Sequence, residues 1–123
     1  MLACYDGGEL GPQYVAFDLE TTGLDYSRDS IIEIGAVRFT RDGIVGTYET
    51  LVNPRRSVPP PVQTLCGITD EMLKDAPPIE VVAADFEMFM AGSILVGHNV
   101  CGFDIPVLDS QGIRHPAEAY DTQ

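Results

Sequence analysis

Residues 14–24 carry the most informative sequence of this chain, which reads Tyr14-Val15-Ala16-Phe17-Asp18-Leu19-Glu20-Thr21-Thr22-Gly23-Leu24. Its first half is rich in β-branched and aromatic residues, which predicts a strand from Tyr14 to Glu20. Side chains alternate between the faces of a strand, so the carboxylates of Asp18 and Glu20 point to the same side. Their mutual repulsion would be relieved by a bound Mg²⁺ or Mn²⁺ ion. The segment therefore favours a metal site, with a solvated acidic strand end as the plainer alternative.

The N-terminal half around this segment is predicted to be an antiparallel meander. β-Branched and apolar residues indicate a second strand over Ile31–Thr40 and a third over Ile44–Val52. The turn between them is Arg41-Asp42-Gly43, whose Asp-Gly pair is typical of a hairpin. The Pro- and Arg-rich segment Asn53–Pro61 then predicts a loop.

Helices and short strands alternate in the C-terminal half. Thr69 can cap a short helix over Asp70–Lys74, and an apolar stripe predicts a longer helix over Ile79–Met90. The wholly apolar run Ile94–Gly97 predicts a strand buried on both faces, and Ala119–Thr122 can begin a fifth strand. Three antiparallel strands followed by alternating helix and strand predict an α/β fold with a mixed sheet and flanking helices.

The composition limits the classes of function. The chain has 123 residues, 45% of them hydrophobic, and 19 acidic against 7 basic side chains, a net charge of −12. This predicts one domain without a basic phosphate-binding surface, so contact with nucleic acid would need divalent cations to offset the repulsion. Met1–Leu10 lacks the pattern of a signal peptide, and no apolar run approaches the length of a membrane span. We expect a cytoplasmic protein with reduced thiols at its three cysteines, Cys4, Cys66 and Cys101.

A second group of polar residues follows the fourth predicted strand, in the segment Gly97-His98-Asn99-Val100-Cys101-Gly102-Phe103-Asp104. Asp104 can cap a helix that runs through Gln111, which is the plainer interpretation of an acid at a helix start. His98 and Asn99 are typical turn residues, and Phe103 is a typical core residue. A third carboxylate near Asp18 and Glu20 is the alternative, because acids from separate segments can converge on one cation.

The two segments resemble the first two exonuclease motifs of the DEDD superfamily of proofreading-type 3′–5′ exonucleases. That family includes the epsilon subunit of DNA polymerase III and the exonuclease domain of PolC-type polymerases. Shorter stretches that also resemble the family are Ile31–Val37, Gly67–Leu73 and Asp121-Thr122. The resemblance covers residues 13–122 and implies a ribonuclease H-like fold and two-metal hydrolysis of a phosphodiester bond.

The same resemblance implies a role for each candidate residue. Asp18 and Glu20 would hold a pair of Mg²⁺ or Mn²⁺ ions, with Asp18 bridging, and Asp104 would complete the metal shell. The metals would activate a water molecule and stabilise the leaving 3′-oxygen. The positions implied to face the substrate are Thr21, Thr22, Asn99 and Phe103.

Some features depart from the family pattern. The third motif, which supplies a fourth carboxylate and in one branch a general-base His, has no counterpart. His115 and Asp121 are six residues apart rather than five, and Pro116 would break a helix there, so this pair is rejected as a substitute. Gly102 adds one residue to the second motif, and Cys66 stands where many relatives carry His.

We therefore expect residues 1–123 to form one exonuclease-like domain that acts at DNA 3′ ends in replication proofreading or repair. The domain is expected to be C-terminally incomplete, weakly active or inactive, and without the C-terminal helix. Its expected partners are a single-stranded or frayed DNA 3′ end and a polymerase subunit, with no membrane. An uncovered apolar sheet face would also favour self-association.

Two alternatives remain open. One is a non-catalytic module of the same fold that binds nucleic acid or a polymerase. The other is an RNA-directed exonuclease of the oligoribonuclease kind, although Thr21 stands where that branch usually has Met.

Overall fold

A computed structural model describes residues 11–123, so the whole segment Met1–Leu10 considered above, including Cys4, lies outside the described residues. The elements in chain order are β1 (Tyr14–Thr21), β2 (Ile31–Thr40), β3 (Gly43–Leu51), α1 (Pro60–Cys66), α2 (Asp70–Leu73), α3 (Ile79–Met90), β4 (Ile94–Gly97), a π-helical turn (Val100–Asp104), α4 (Ile105–Ser110) and β5 (Ala119–Asp121).

The five strands form one mixed sheet in the order β3-β2-β1-β4-β5. β1 and β3 both pair antiparallel with β2, and β4 runs parallel to β1 and to β5. This arrangement confirms the predicted meander followed by parallel strands. It places β1 at the centre, with the ends of β1 and β4 at the same edge of the sheet.

One face of the sheet is covered by α3 and α4 and holds the main core. β1 contributes Val15, Phe17 and Leu19 to this face, because alternate residues point the same way. Phe86 of α3 is fully buried against them, with its ring centroid 5.7 Å from that of Phe17. A smaller core lies beneath α1 and α2 and contains Ile32, Val58, Ile68 and Leu73.

The opposite face of the sheet is only partly covered. Tyr14, Phe39 and Tyr120 form an aromatic row across it, with centroid distances of 5.4 Å between Tyr14 and Phe39 and 6.5 Å between Tyr14 and Tyr120. Tyr120 is 56% exposed. The same face carries Asp18 and Glu20 farther along β1.

The structure corrects one prediction in the loop Asn53–Pro61. Its last two residues, Pro60 and Pro61, open the helix α1, which the sequence did not predict. Proline disrupts a helix interior but is tolerated in the first turn, where the missing N–H has no intrahelical partner. Pro60 and Pro61 therefore start this helix instead of preventing it.

Two further predictions about burial and capping were wrong. β4 is not buried on both faces, because only Leu95 is fully buried, while Ile94 and Val96 face the partly covered side and are half-buried. Asp104 does not cap α4, because it has helical backbone angles and its side chain makes no capping hydrogen bond. By contrast, Thr69 does cap α2, accepting a bond from the Met72 amide.

Within residues 11–123, no helix is both long and apolar enough to cross a membrane. The two cysteines in this part of the chain, Cys66 and Cys101, are free thiols.

Candidate active site

The end of β1 presents the first two candidate acids. Asp18 is exposed and Glu20 is half-buried, both on the partly covered face, while their neighbours Phe17 and Leu19 lie in the core. The register with β2 shifts just after Glu20, a β-bulge that redirects the strand end. Before the bulge, Glu20 lies directly opposite Glu33 of β2, so two negative charges face each other.

Asp104 is the third candidate acid and lies in a different environment. It ends the π-helical turn Val100–Asp104, and its side chain is buried, with 7% of the residue exposed. Burial first, and then the negative charges of Asp18 and Asp121, together raise the pKa of Asp104 to about 7. A carboxyl group in these surroundings carries its charge at low energy only when a cation is nearby.

The structure brings the three acids into one electrostatic group. Burial raises the pKa of Glu20 above its usual range, and the charges of Asp18 and Glu33 raise it further. Asp18 therefore acts on both Glu20 in its own strand and Asp104 in the second motif. These oxygen donors with unbalanced negative charge fit a hard divalent cation. However, no three His, Cys, Asp or Glu side chains within residues 11–123 already stand in ligand geometry.

A cleft of about 310 Å³ opens beside Glu20, the one candidate acid that lines it. Glu20 and Thr21 of β1 line one wall, and Phe103 of the π-helical turn lines another. The rim carries two exposed leucines, Leu24 at 89% and Leu65 at 87%, and most of the lining is apolar. Such a cleft can hold a planar apolar group next to a charged one, as a nucleotide requires.

Two of the predicted substrate positions lie outside this cleft. Thr22 is 2% exposed, and its hydroxyl donates to Asp29 at 2.9 Å and accepts from the Ser30 amide at 3.0 Å. Asn99 is exposed in the loop before the π-helical turn, in the left-handed backbone region at φ 58°. These two residues shape the loops around the cleft, whereas Thr21 and Phe103 line it.

Asp29 organises the loop between β1 and β2, which sequence reasoning did not single out. Its carboxylate accepts from the Thr22 hydroxyl and from the Asp25 amide, at 2.9 and 2.8 Å. An Arg56 guanidinium nitrogen lies 3.5 Å from it. A Cβ on Gly23 would lie 2.5 Å from Asp29 Oδ2, so this carboxylate also explains why the position is glycine.

Asp121 is a second carboxylate whose part in the site sequence reasoning missed. It lies at the end of β5, and its two oxygens accept from the Asn99 and Cys101 amides, each at 2.9 Å. Amide donors from Gln123, Cys101 and Asn99 lower the pKa of Asp121 below its usual range. Its resemblance to a family strand was the one available signal, and it gave no role for the side chain.

The His115 ring forms its hydrogen bonds with groups other than these acids. Its ring bonds Asp109 and the Pro116 carbonyl, each at 2.8 Å, and not Asp121. Burial works to lower the pKa of His115, but the bonds to Pro116 and Asp109 outweigh it and raise the pKa. These contacts agree with the rejection of His115 and Asp121 as a catalytic pair.

Comparisons with known proteins identify relatives of this chain. The chain is 45% identical over 98 residues to the DNA polymerase III subunit epsilon of Treponema pallidum (strain Nichols), covering 80% of this chain and 45% of that protein. It is 46% identical over 99 residues to a DNA polymerase III PolC-type of Caldanaerobacter subterraneus subsp. tengcongensis, covering 80% of this chain and 7% of that protein. The chain thus spans less than half the length of these relatives.

The fold also matches a solved nuclease. Escherichia coli exonuclease I, in a crystal structure with a dA16 oligonucleotide, superposes with a TM-score of 0.79 at 17% identity. The match covers 89% of this chain and 28% of that chain, and it shows a shared ribonuclease H-like fold. The exonuclease family of the RNase T type matches residues 15–120. The chain therefore belongs to the exonuclease family.

Proposed function

We propose that this chain is a 3′–5′ exonuclease domain that hydrolyses phosphodiester bonds at single-stranded or frayed DNA 3′ ends. Asp18, Glu20 and Asp104 would hold two divalent cations, Mg²⁺ or Mn²⁺. The observation that carries the proposal is that the charge of Asp18 reaches both Glu20 and the buried Asp104, which belong to separate segments. The ionised forms of Glu20 and Asp104, whose pKa values are raised, would be stabilised by bound positive charge.

When bound, the ions would supply the positive charge that activates a water molecule and stabilises the leaving 3′-oxygen. The chain itself would position the terminal nucleotide. Phe103 offers a ring face for a base, and the exposed Leu24 and Leu65 offer apolar contacts at the rim. The Thr21 hydroxyl donates to the Gly23 carbonyl, and this bond connects the end of β1 to the loop that continues the cleft wall.

The relatives support a role in replication. The two described above are named as a subunit and a polymerase of the DNA polymerase III system. We accordingly propose that this domain proofreads or repairs DNA together with a polymerase subunit. DNA is favoured over RNA because Thr21 follows Glu20, at the position where the oligoribonuclease branch usually has Met. Trimming of matched DNA and RNA oligonucleotides would test this choice of substrate. A preference for RNA would count against it.

Calorimetric titration with Mn²⁺ tests the metal site directly. We expect the chain to bind Mn²⁺, and Asp18→Asn and Asp104→Asn to weaken that binding at least tenfold, as loss of a charged ligand does. Asp42→Asn is the matched control, because Asp42 is an exposed acid in the hairpin turn between β2 and β3. Equal Mn²⁺ affinity in all four proteins would refute the proposed site.

Trimming of a labelled DNA strand from its 3′ end tests the activity. The 123 residues contain no match to the third family motif, so we propose that this chain alone trims DNA slowly. Asp18→Asn should remove whatever Mg²⁺-dependent trimming is present. Fast trimming that depends on Asp18 would support the proposed exonuclease activity. It would contradict the proposal that this chain alone trims DNA slowly.

A second candidate is a non-catalytic module that binds nucleic acid or a polymerase. It is favoured by the absence, within residues 11–123, of three metal-binding side chains already in ligand geometry. Nucleic-acid binding without any Mn²⁺ binding would support this candidate over the enzyme.

A further inference from the structure

The second motif contains an unusual backbone element directly before Asp104. Residues Val100–Asp104 form a π-helical turn, in which the Ile105 amide donates to the Val100 carbonyl five residues earlier. Such turns are rare and arise where one extra residue is taken up inside a helix. Gly102 is the extra residue of this segment, and it lies within the turn.

The turn is secured from outside by one side chain. The first N–H groups of a helical segment have no intrahelical acceptor. Here two of them, from Asn99 and Cys101, donate to separate oxygens of Asp121 at 2.9 Å each. Asp121 is able to reach them because β5 pairs with β4 in a register that places Asp121 beside Gly97.

The interior of the turn leaves little freedom. Asn99 adopts φ 58°, and both the Gly102 and Phe103 amides donate to its carbonyl at 3.2 and 3.0 Å. A Cβ on Gly102 would lie 2.3 Å from the Asn99 side-chain oxygen. The turn is therefore held at its first amides by Asp121. Gly102 occupies a position where a larger side chain would meet the side chain of Asn99.

We propose that Asp121 is a positioning residue, whose carboxylate secures the π-helical turn so that Asp104 faces Asp18 despite the residue added at Gly102. Asp121 then performs the capping that the sequence assigned to Asp104, and Asp104 keeps its oxygens for a cation. Each oxygen of Asp121 accepts from a backbone amide of this segment, so we assign its carboxylate to support of the turn and not to the metal. The inference rests on the proposed metal-binding role of Asp104.

Asp121→Asn tests the positioning role by calorimetric titration with Mn²⁺. Asn keeps one carbonyl acceptor but loses the second, so the turn should loosen and the Mn²⁺ dissociation constant should rise about tenfold. Asp109→Asn is the matched control, because Asp109 lies on α4 but bonds His115 and not the turn. An Asp121→Asn protein that binds Mn²⁺ with the wild-type constant would overturn the proposal.

Deletion of Gly102 tests whether the turn takes up the added residue. The shortened segment should form an ordinary α-helical turn and bind Mn²⁺ within about threefold of the wild-type constant. A folded deletion protein that no longer binds Mn²⁺ would contradict this part. Gly102→Ala keeps the length of the segment but displaces the Asn99 side chain, so it should weaken Mn²⁺ binding. This variant remains informative if the deletion protein does not fold. Unchanged Mn²⁺ binding in Gly102→Ala would contradict the role given to Gly102.

Amide hydrogen exchange separates this inference from the proposed function. The proposed metal site fails if the wild-type chain does not bind Mn²⁺, or if Asp104→Asn leaves that binding unchanged. The positioning role is then decided by Asp121→Asn alone, which should speed exchange at Asn99 and Cys101 and leave α3 unchanged. Unaltered exchange at both amides would overturn it. If Asp121→Asn does not unfold cooperatively, Asp121→Glu, which displaces the carboxylate while keeping its charge, must show the same local effect.

Discussion

Asp104 combines two properties that both disfavour its ionised form. It is buried, and it lies within the fields of Asp18 and Asp121, so its ionised form is destabilised in the folded chain. The same surroundings that make the free acid unfavourable make a cation-bound acid favourable. At the scale of single residues, Asp104 is therefore an acid whose ionised form would gain strongly from a bound cation.

The first prediction concerns the pH dependence of folding in the absence of divalent cations. The folded pKa of Asp104, about 7, lies above its unfolded value, so the folded chain holds a proton that the unfolded chain has lost. Stability should fall as pH rises from about 4 to about 7. Asp104→Asn should therefore be more stable than wild type at pH 8 by about 1–3 kcal/mol, after allowance for solvent screening.

Thermal unfolding in EDTA at pH 5 and pH 8 measures this difference. The gap between Asp104→Asn and wild type should be small at pH 5 and larger at pH 8, and Asp42→Asn should show no such trend. A wild-type chain that is more stable than Asp104→Asn at pH 8 in EDTA would contradict the prediction.

The second prediction concerns Gly23 and Asp29. A methyl group at Gly23 would lie 2.5 Å from an Asp29 oxygen that is already bound to the Asp25 amide. Gly23→Ala should destabilise the chain by about 1–3 kcal/mol, as overpacking does. Gly35→Ala is the control, since nothing lies within 4 Å of its added Cβ. Equal urea midpoints for the two variants would show that the Asp29 side chain yields freely.

At the scale of elements, α3 is the helix that packs across the sheet from β1 to β3. It buries Val82 and Phe86 of the apolar stripe that predicts this helix, whereas the third member of that stripe, Phe89, is half-buried and Met90 is buried instead. The Phe86 ring lies against Phe17 of β1 and is stacked on Tyr48 of β3, at 5.7 and 5.6 Å between centroids. A single aromatic side chain thus connects the central strand, which bears the acids, to the edge strand.

The third prediction follows from this contact. Phe86→Ala should destabilise the chain by about 3–5 kcal/mol, because it removes a fully buried ring and leaves a cavity. Met88→Ala on the same helix should change stability by less than about 0.5 kcal/mol, since Met88 is 77% exposed. Chemical denaturation of both variants measures the contrast, and similar losses would mean that α3 is not packed as described.

At the scale of the whole molecule, the two faces of the sheet differ. Helices cover one face, while the aromatic row remains partly open on the other face, which also carries Asp18 and Glu20 farther along β1. The net charge of −12 opposes close approach of a second copy or of DNA unless cations are present. Apolar attraction at the open face and charge repulsion therefore act against each other in any association.

The fourth prediction addresses this open face. The chain should bind a hydrophobic dye and associate as its concentration rises, more strongly at high salt because screening weakens the repulsion. Tyr120→Lys should reduce both effects, whereas Met88→Lys, on the side of the helices, should not. Light scattering coupled to size-exclusion chromatography would show the association, and a monomer without dye binding at all concentrations would contradict it.

Local sequence carried most of the fold. Period-two alternation placed Asp18 and Glu20 on one face of β1, and a period near 3.6 gave the bounds of α3, because both patterns are set by neighbours a few residues apart. The prediction failed where a residue has two local uses. Pro60 and Pro61 start a helix as readily as they interrupt one, and their position relative to the chain before them decides which.

The sequence by itself determined the antiparallel meander, the three candidate acids and the family resemblance, since each depends on residue type and spacing along the chain. Only the tertiary structure decided that Asp104 is buried within the field of Asp18, and that Asp121 rather than Asp104 caps the π-helical turn. Asp121 and Cys101 are distant in sequence and meet because β5 pairs with β4. Burial and charge coupling are properties of such long-range neighbours, and no local pattern contains them.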